Sequence, residues 1–523
     1  MKTRELVFSL LFVVLCPLVM TTAAQDARAQ DAKAILQTAS AAIGAASLNS
    51  ITYSGAGWNA AVGQSFGPDA DWPRFEVTSY TRSVDYVARS GREELTRRQG
   101  SYPPQGGGGT PLQGEQRQIA VVNGNYAWNV VGENANPAPA AAEVRQLDLW
   151  LTPHGFLKAA MAAEPTAVTV TVAGPSIAGL TQNGRRATIV SFTALGKYRV
   201  NGIINDQNLV EVVQTRVPNP VLGDMLYEIR YTNYRDFAGG VKFPTVLHAH
   251  QGDPRLNPGH NSMEIRVTDV QPNATVPALA VPANVRQAAV PPVRVESQKL
   301  ADGVWLVGGG SHNSVAVEFR DFVAVVEAPL NEERSLAVIA EVQKLVTNKP
   351  IRYVVNTHHH FDHLGGLRTY VAQGATVVTH QRNRQFYEDV VLHPAPRTLE
   401  PDLLSSRYPY FSQDRRPAFE TVTQKYVLSD GVRTMDIYPL QGLAHNANML
   451  VAYLPTERIL INADLYSPPA QGAQPPSAPT PTMVTLRQNM QRLQLNVGQH
   501  VPIHGAPGSH EEFLKLTGGS SGN

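Results

Sequence analysis

Apolar and polar positions divide the chain into two regimes. Through the first half they alternate, as in Tyr227-Glu228-Ile229-Arg230-Tyr231, which gives a strand one buried and one wetter face, the habit of an antiparallel sheet. Residues 118–122, closed by Asn123-Gly124 and reopened at 126–128, predict a hairpin with a tight turn. Further strands are predicted over 187–192, 209–217, 226–234 and 263–270. Ahead of them, residues 31–46 are alanine-rich with Ile35, Leu36 and Ile43 at helical spacing, and predict a short amphipathic helix. Residues 101–117 hold paired prolines and the run Gly106 to Gly109, and predict a loop.

The second half reads differently. Short apolar runs at 303–307, 314–319 and 322–326, and one ending in Val354-Val355, alternate with helical periods at 331–346 and 367–373, the pattern of an α/β fold. A strand over 375–380 and helices over 485–495 and 511–516 complete it. Two proline-rich excursions, 388–424 and 467–481, interrupt the pattern and are candidates for substrate walls. The stretch 272–292, rich in Pro, Ala and Val, predicts a semi-extended linker. The division is therefore a leader at 1–30, a mainly antiparallel β domain at 31–271, the linker, and an α/β domain at 293–523.

Composition narrows the function. At 523 residues the chain has room for two or three domains, and 44 Lys plus Arg against 43 Asp plus Glu leave no bulk charge to attract nucleic acid. Lys2 and Arg4 ahead of the apolar run 6–20, then Thr22-Ala23-Ala24, read as an export signal, so a periplasmic or secreted protein with no transmembrane anchor after cleavage is expected. The run is shorter than a comfortable membrane span. Its Cys16 is the only cysteine, preceded by Leu15 where a lipoprotein signal would have a small residue. A cleaved chain then has no thiol for a disulfide or a metal.

The densest chemistry lies at Thr357-His358-His359-His360-Phe361-Asp362-His363-Leu364-Gly365-Gly366, entered by Val354-Val355. In an extended segment alternate residues share a side, so His358 and His360 can face one ion while His359 points elsewhere. Imidazole and carboxylate without thiolate suit zinc, with manganese or iron possible. His248, His250 and His260, in the first half, lack a carboxylate at ligand spacing and read as satisfied surface histidines; His380 and His393 lie outside the ligand motifs and read as structural or surface residues.

The pattern His-x-His-x-Asp-His after a strand resembles the metallo-β-lactamase-fold hydrolases, and the resemblance extends from about Val293 to the C-terminus. Gly442-Leu443-Ala444-His445-Asn446, Ile459-Leu460-Ile461-Asn462-Ala463-Asp464 and Val501-Pro502-Ile503-His504-Gly505 follow in the family's order. The resemblance implies an αββα sandwich. It assigns one metal to His358, His360 and His445 and a second to Asp362, His363 and His504, with Asp464 bridging. Glu327 stands where many relatives carry an aspartate. The implied activity is that of an exported dinuclear zinc hydrolase whose metal-bound hydroxide cleaves a carbonyl bond of a small lactone, ester or β-lactam, Asp362 acting as the catalytic carboxylate. Two alternatives stay open: an iron-containing member working on thioesters or persulfides, and a lipophilic-ligand-binding protein with an incidental metal site. For the second, the first half resembles the half-barrels of bacterial lipoprotein carriers.

Overall fold

A computed structural model describes residues 32–518 save 172–185, 254–259, 276–278, 394–396, 409–416, 470, 471, 473, 475 and 477. The export segment with Cys16, and the tips of both proline-rich excursions, lie outside the described residues.

The N-terminal half is one antiparallel sheet of 13 strands. The chain starts in the middle of it. From the strand Ser50–Ala60 successive neighbours run outward to Asn134–Pro137; the helices Ala142–Leu149 and Pro153–Ala162 then carry the chain to the far edge at Thr166–Thr171. Hairpins bring it back until Asn261–Pro272 pairs with the first strand, Ile51 opposite Pro272. The hairpin expected at 118–128 is Gln116–Asn123 paired with Tyr126–Val131. One face of the sheet buries Ile51, Tyr53, Phe243 and Ile265 against the helices, including Ala32–Ile43 at the start and Pro153–Ala162 with its Phe156. Buried and wetter positions take turns along strands such as Arg74–Asp85, the alternation expected of this half.

Two of the three histidines expected at this domain's surface lie deeper. His250 is buried with its Nδ1 3.2 Å from Glu228 Oε1, and half-buried His248 lies 3.3 Å from Glu264 Oε2. The strand pairing supplies carboxylates that sequence spacing does not show.

The C-terminal half layers two sheets. Seven strands from Glu296–Ala301 to Phe419–Val422 form one, and six from Tyr426–Ser429 to Gly508–Ser509 the other. Val326, Val355 and Val378 from the first pack on Ile437, Leu460 and Val501 from the second. The first sheet's opposite face, with Val323, Val325 and Val354, packs on the helices Glu332–Leu345 and Leu367–Ala372. Burial on both faces explains why these strands read as continuous apolar runs. Among the described residues no helix is long and apolar enough to cross a membrane.

The connecting stretch is not a free spacer in its described part. Val285, on the short helix Ala283–Gln287, packs with Ile119, Val121 and Trp128, and Asn123 Nδ2 donates to the Leu279 carbonyl. The first excursion also turns toward the N-terminal sheet: Asp224 accepts from the backbone N–H groups of Thr398 and Leu399, and Arg397 donates to the carbonyls of Asn219 and Val221.

Candidate metal centre

Each candidate ligand is held by a strand end or a tight turn. The strand Ile351–Val355 stops at Asn356, and His358 and His360 follow in extended backbone before the single turn Phe361–Leu364 carries Asp362 and His363. The helix expected over 367–373 follows as Leu367–Ala372, set off from that turn by Gly365-Gly366. A β-carbon on Gly365 would lie 2.0 Å from the Leu330 carbonyl oxygen, so the chain can pass there only without a side chain. Asp464 leaves the strand Ile459–Asn462 with φ at 56°, a left-handed bend that aims its carboxylate inward. His445 and His504 come from loops bordering the second sheet.

The structure brings all seven candidates together. Ligating atoms of His358, His360, His445 and Asp464 lie within 4.8 Å of one another, and so do those of His312, Asp362, His363 and His504. Asp464 joins the groups: Oδ2 is 2.9 Å from His363 Nε2 and 3.2 Å from both His358 Nε2 and His445 Nε2, while Oδ1 is 2.9 Å from His504 Nε2. His445 Nε2 and Asp464 Oδ2 are nevertheless buried without a hydrogen-bond partner. Ring nitrogens converging on one carboxylate without bonding geometry are a donor set for cations.

The outward nitrogens are anchored, which fixes which nitrogen faces inward. His358 Nδ1 lies 2.9 Å from Thr357 Oγ1, His363 Nδ1 lies 2.8 Å from Glu327 Oε2, and His504 Nδ1 lies 3.0 Å from the Ser311 carbonyl. Glu327 also accepts from the Thr357 N–H at 2.6 Å. It therefore supports His363 and the start of the metal loop, the place expected of the relatives' aspartate. His359 points away, toward Ser65 Oγ and Asn446 Nδ2.

Electrostatics follow the packing. Burial, helped by the positive field of His363, pushes His358 down to about 3, and burial also pushes His360 well below the usual histidine range. Both candidate ligands are therefore neutral at working pH. Burial opposes charge on His363 as well, but Asp464 and Glu327 outweigh it and hold its pKa well above the usual value. Asp362 resists burial through His312 and His363 and is ionised far below neutrality.

Three contributors were not foreseen. His312 stands in the second ligand group; a lone histidine after three glycines gave no repeat to notice. The others come from the N-terminal half. Gln64 Nε2 donates to Asp362 Oδ1 at 2.7 Å, and the Ser65 carbonyl lies 2.9 Å from His360 Nε2, leaving Nδ1 toward the cluster. Gly108 N–H donates to Gln64 Oε1, and a β-carbon on Gly107 would sit 2.0 Å from that oxygen and 2.8 Å from His360 Cε1. The glycine run is needed where two domains close on the site.

A cavity of about 630 Å³ opens beside the cluster between Gln64, Gly108, Asp464, Tyr466, Ser467, Thr480 and His504. The second proline-rich excursion borders it; the described part of the first does not.

Residues 307–477 match the family model of the metallo-beta-lactamase superfamily, a span that includes every candidate ligand except His504. Similar solved structures include a metallo-beta-lactamase from Pontibacter korlensis, 18% identical over 42% of this chain and 95% of that one, with a TM-score of 0.30. The mono-zinc form of the metallo-beta-lactamase FIM-1 from Pseudomonas aeruginosa is 20% identical over 42% and 92%, also at 0.30. A metallo-beta-lactamase from Hirschia baltica is 17% identical over 43% and 96%, again at 0.30. The C-terminal half of this chain, with its two sheets and its histidine and aspartate clusters, is a domain of the metallo-beta-lactamase superfamily, and the protein is a metal-dependent hydrolase.

Proposed function

We propose that the protein is an exported dinuclear zinc hydrolase that cleaves the carbonyl bond of an uncharged ester or lactone. The observation that carries this reading is the pair of interlocked donor groups, His358, His360 and His445 on one side and Asp362, His363 and His504 on the other, with Asp464 between them. An all-imidazole and carboxylate set with anchored outward nitrogens fits zinc. Two bound zinc ions would supply Lewis acidity, acidifying water and polarising a carbonyl.

The chain's own groups do the rest. Gln64 fixes one oxygen of Asp362, so the other, Oδ2, stays turned toward His312 and His363. Ionised at neutral pH, Asp362 can take a proton from the attacking water and return it to the leaving group. Ser467, Thr480 and Thr482 make part of the cavity wall polar. Among the described residues lining the cavity there is no lysine or arginine, which favours an uncharged acyl compound over the carboxylate-bearing β-lactams.

The test is metal analysis of the purified mature chain together with turnover of chromogenic lactone, ester and cephalosporin substrates. About two zinc ions per chain and hydrolysis weighted to lactone or ester are expected. Iron in place of zinc with thioester turnover, or metal binding without turnover across the panel, would defeat the reading. N-terminal sequencing of the periplasmic or secreted fraction tests export, a start near residue 30 being the expected result.

A further inference from the structure

We propose that His312 is an additional imidazole ligand of the second metal position, beside Asp362, His363 and His504; the assignment rests on the dinuclear reading above. His312 is buried, 5% exposed, on the turn between the strands Val304–Gly308 and Ser314–Glu318. Its Nε2 lies 3.3 Å from Asp362 Oδ2, and its ring centroid is 4.1 Å from that of His504 and 5.1 Å from that of His363. One ligating atom from each of these four residues falls within 4.8 Å of the rest.

Its other nitrogen carries the mark of a ligand. Nδ1 lies 2.8 Å from Ser311 Oγ, so the ring is anchored outward and presents Nε2 inward, as Thr357 does for His358 and Glu327 for His363. Ser311 serves two rings at once, its hydroxyl toward His312 and its carbonyl toward His504.

The turn itself is fixed. Buried Arg334 donates to the carbonyls of His312 and Val307, at 2.9 and 3.1 Å. Asn313 binds the His504 loop through three contacts: its N–H to the Ile503 carbonyl, and its Nδ2 to the carbonyls of Pro502 and Gly505. A histidine needed only to hydrogen-bond Asp362 would not require this double tether to another ligand's loop. Three imidazoles beside Asp362 and the shared Asp464 make the position nitrogen-rich, a donor set that favours zinc, copper or nickel over magnesium or calcium.

The experiment compares the full-length mature protein with H312F, which keeps a ring against His504 but cannot ligate, and with H312A. Each is stripped of metal and titrated with zinc by calorimetry, with melting by circular dichroism to establish folding. The cobalt(II)-loaded forms are then examined by proton NMR for hyperfine-shifted imidazole N–H signals. Both variants are expected to fill one position as tightly as the parent and to bind the other at least about tenfold more weakly. One shifted N–H signal of the parent should vanish. If both variants misfold, the parent alone decides: histidines 358, 360, 363, 445 and 504 account for five ligated imidazoles, and a sixth supports His312. Two tight zinc ions in a folded variant with every shifted signal retained would overturn the assignment alone. A parent that takes up no metal would overturn it together with the dinuclear reading.

Discussion

Replacing Glu327 by Gln tests how the fold holds the second metal position. Glu327 is fully buried at φ 74°, and its two oxygens serve different donors: Oε1 the Thr357 N–H at 2.6 Å, Oε2 the His363 Nδ1–H at 2.8 Å. The amide has the same shape but only one acceptor, so one of the two buried donors must face an N–H group. A hydrogen bond to a charged group contributes about 1.5–3 kcal/mol, and a stranded buried donor costs about 1–3 kcal/mol. The variant should therefore be less stable by about 2–3 kcal/mol in urea unfolding. Losing the carboxylate behind His363 should also weaken the second zinc by about 10–100-fold, with the first unchanged. Glu327 has an opposing effect, since it helps hold a proton on His363 that zinc must displace. Competition with a chromophoric chelator is therefore best run at pH 8 and again at pH 6, where the loss should shrink. Unchanged zinc affinity at pH 8, in a folded variant, would refute the claim that Glu327 supports a metal ligand.

Other consequences follow from the same contacts. His363 and His504 both have raised pKa values, so protons compete with zinc; affinity should climb as pH rises above the ordinary histidine range, with proton release measurable by calorimetry in buffers of different ionisation enthalpy. Gln64→Leu removes the donor to Asp362 Oδ1 and should lower kcat about 10–100-fold with the melting temperature nearly unchanged; a change in KM alone would contradict a positioning role. Asp402 is paired with Arg368 and Arg397, and although burial pushes its carboxyl up, the arginines bring it to about 2. A lowered pKa stabilises the fold above the unfolded carboxylate's range, and that contribution is lost as pH falls toward 2. Asp402→Asn should then cost about 1–2 kcal/mol in urea unfolding at pH 7, allowing for solvent screening, and much less near pH 2.

What the sequence made legible was local. The His358 to His363 cluster spells its chemistry in six consecutive positions, and His445, Asp464 and His504 each follow an apolar run whose neighbours repeat a family pattern. Strands such as 226–234 announced themselves because one face is wet. What stayed hidden depends on contacts across the chain. Gln64 and Ser65 meet residues nearly three hundred positions away, and nothing in Val62-Gly63-Gln64-Ser65 signals it. His312 needs the fold to bring it beside His504. The pairing of Ile51 with Pro272 sets the sheet's order, yet neither strand's pattern names its partner. The first excursion read as a candidate substrate wall from its prolines; its residues 397–399 instead bind the Asn219 to Asp224 turn, a partner nearly two hundred positions away.

The most direct measurement is anomalous X-ray diffraction at the zinc edge on crystals of the purified mature protein. Two peaks are expected, one enclosed by His358, His360 and His445, the other by Asp362, His363 and His504, with Asp464 reaching both. Protein whose anomalous map shows no metal among these side chains, after loading with excess zinc at pH 8, would contradict the account at its centre.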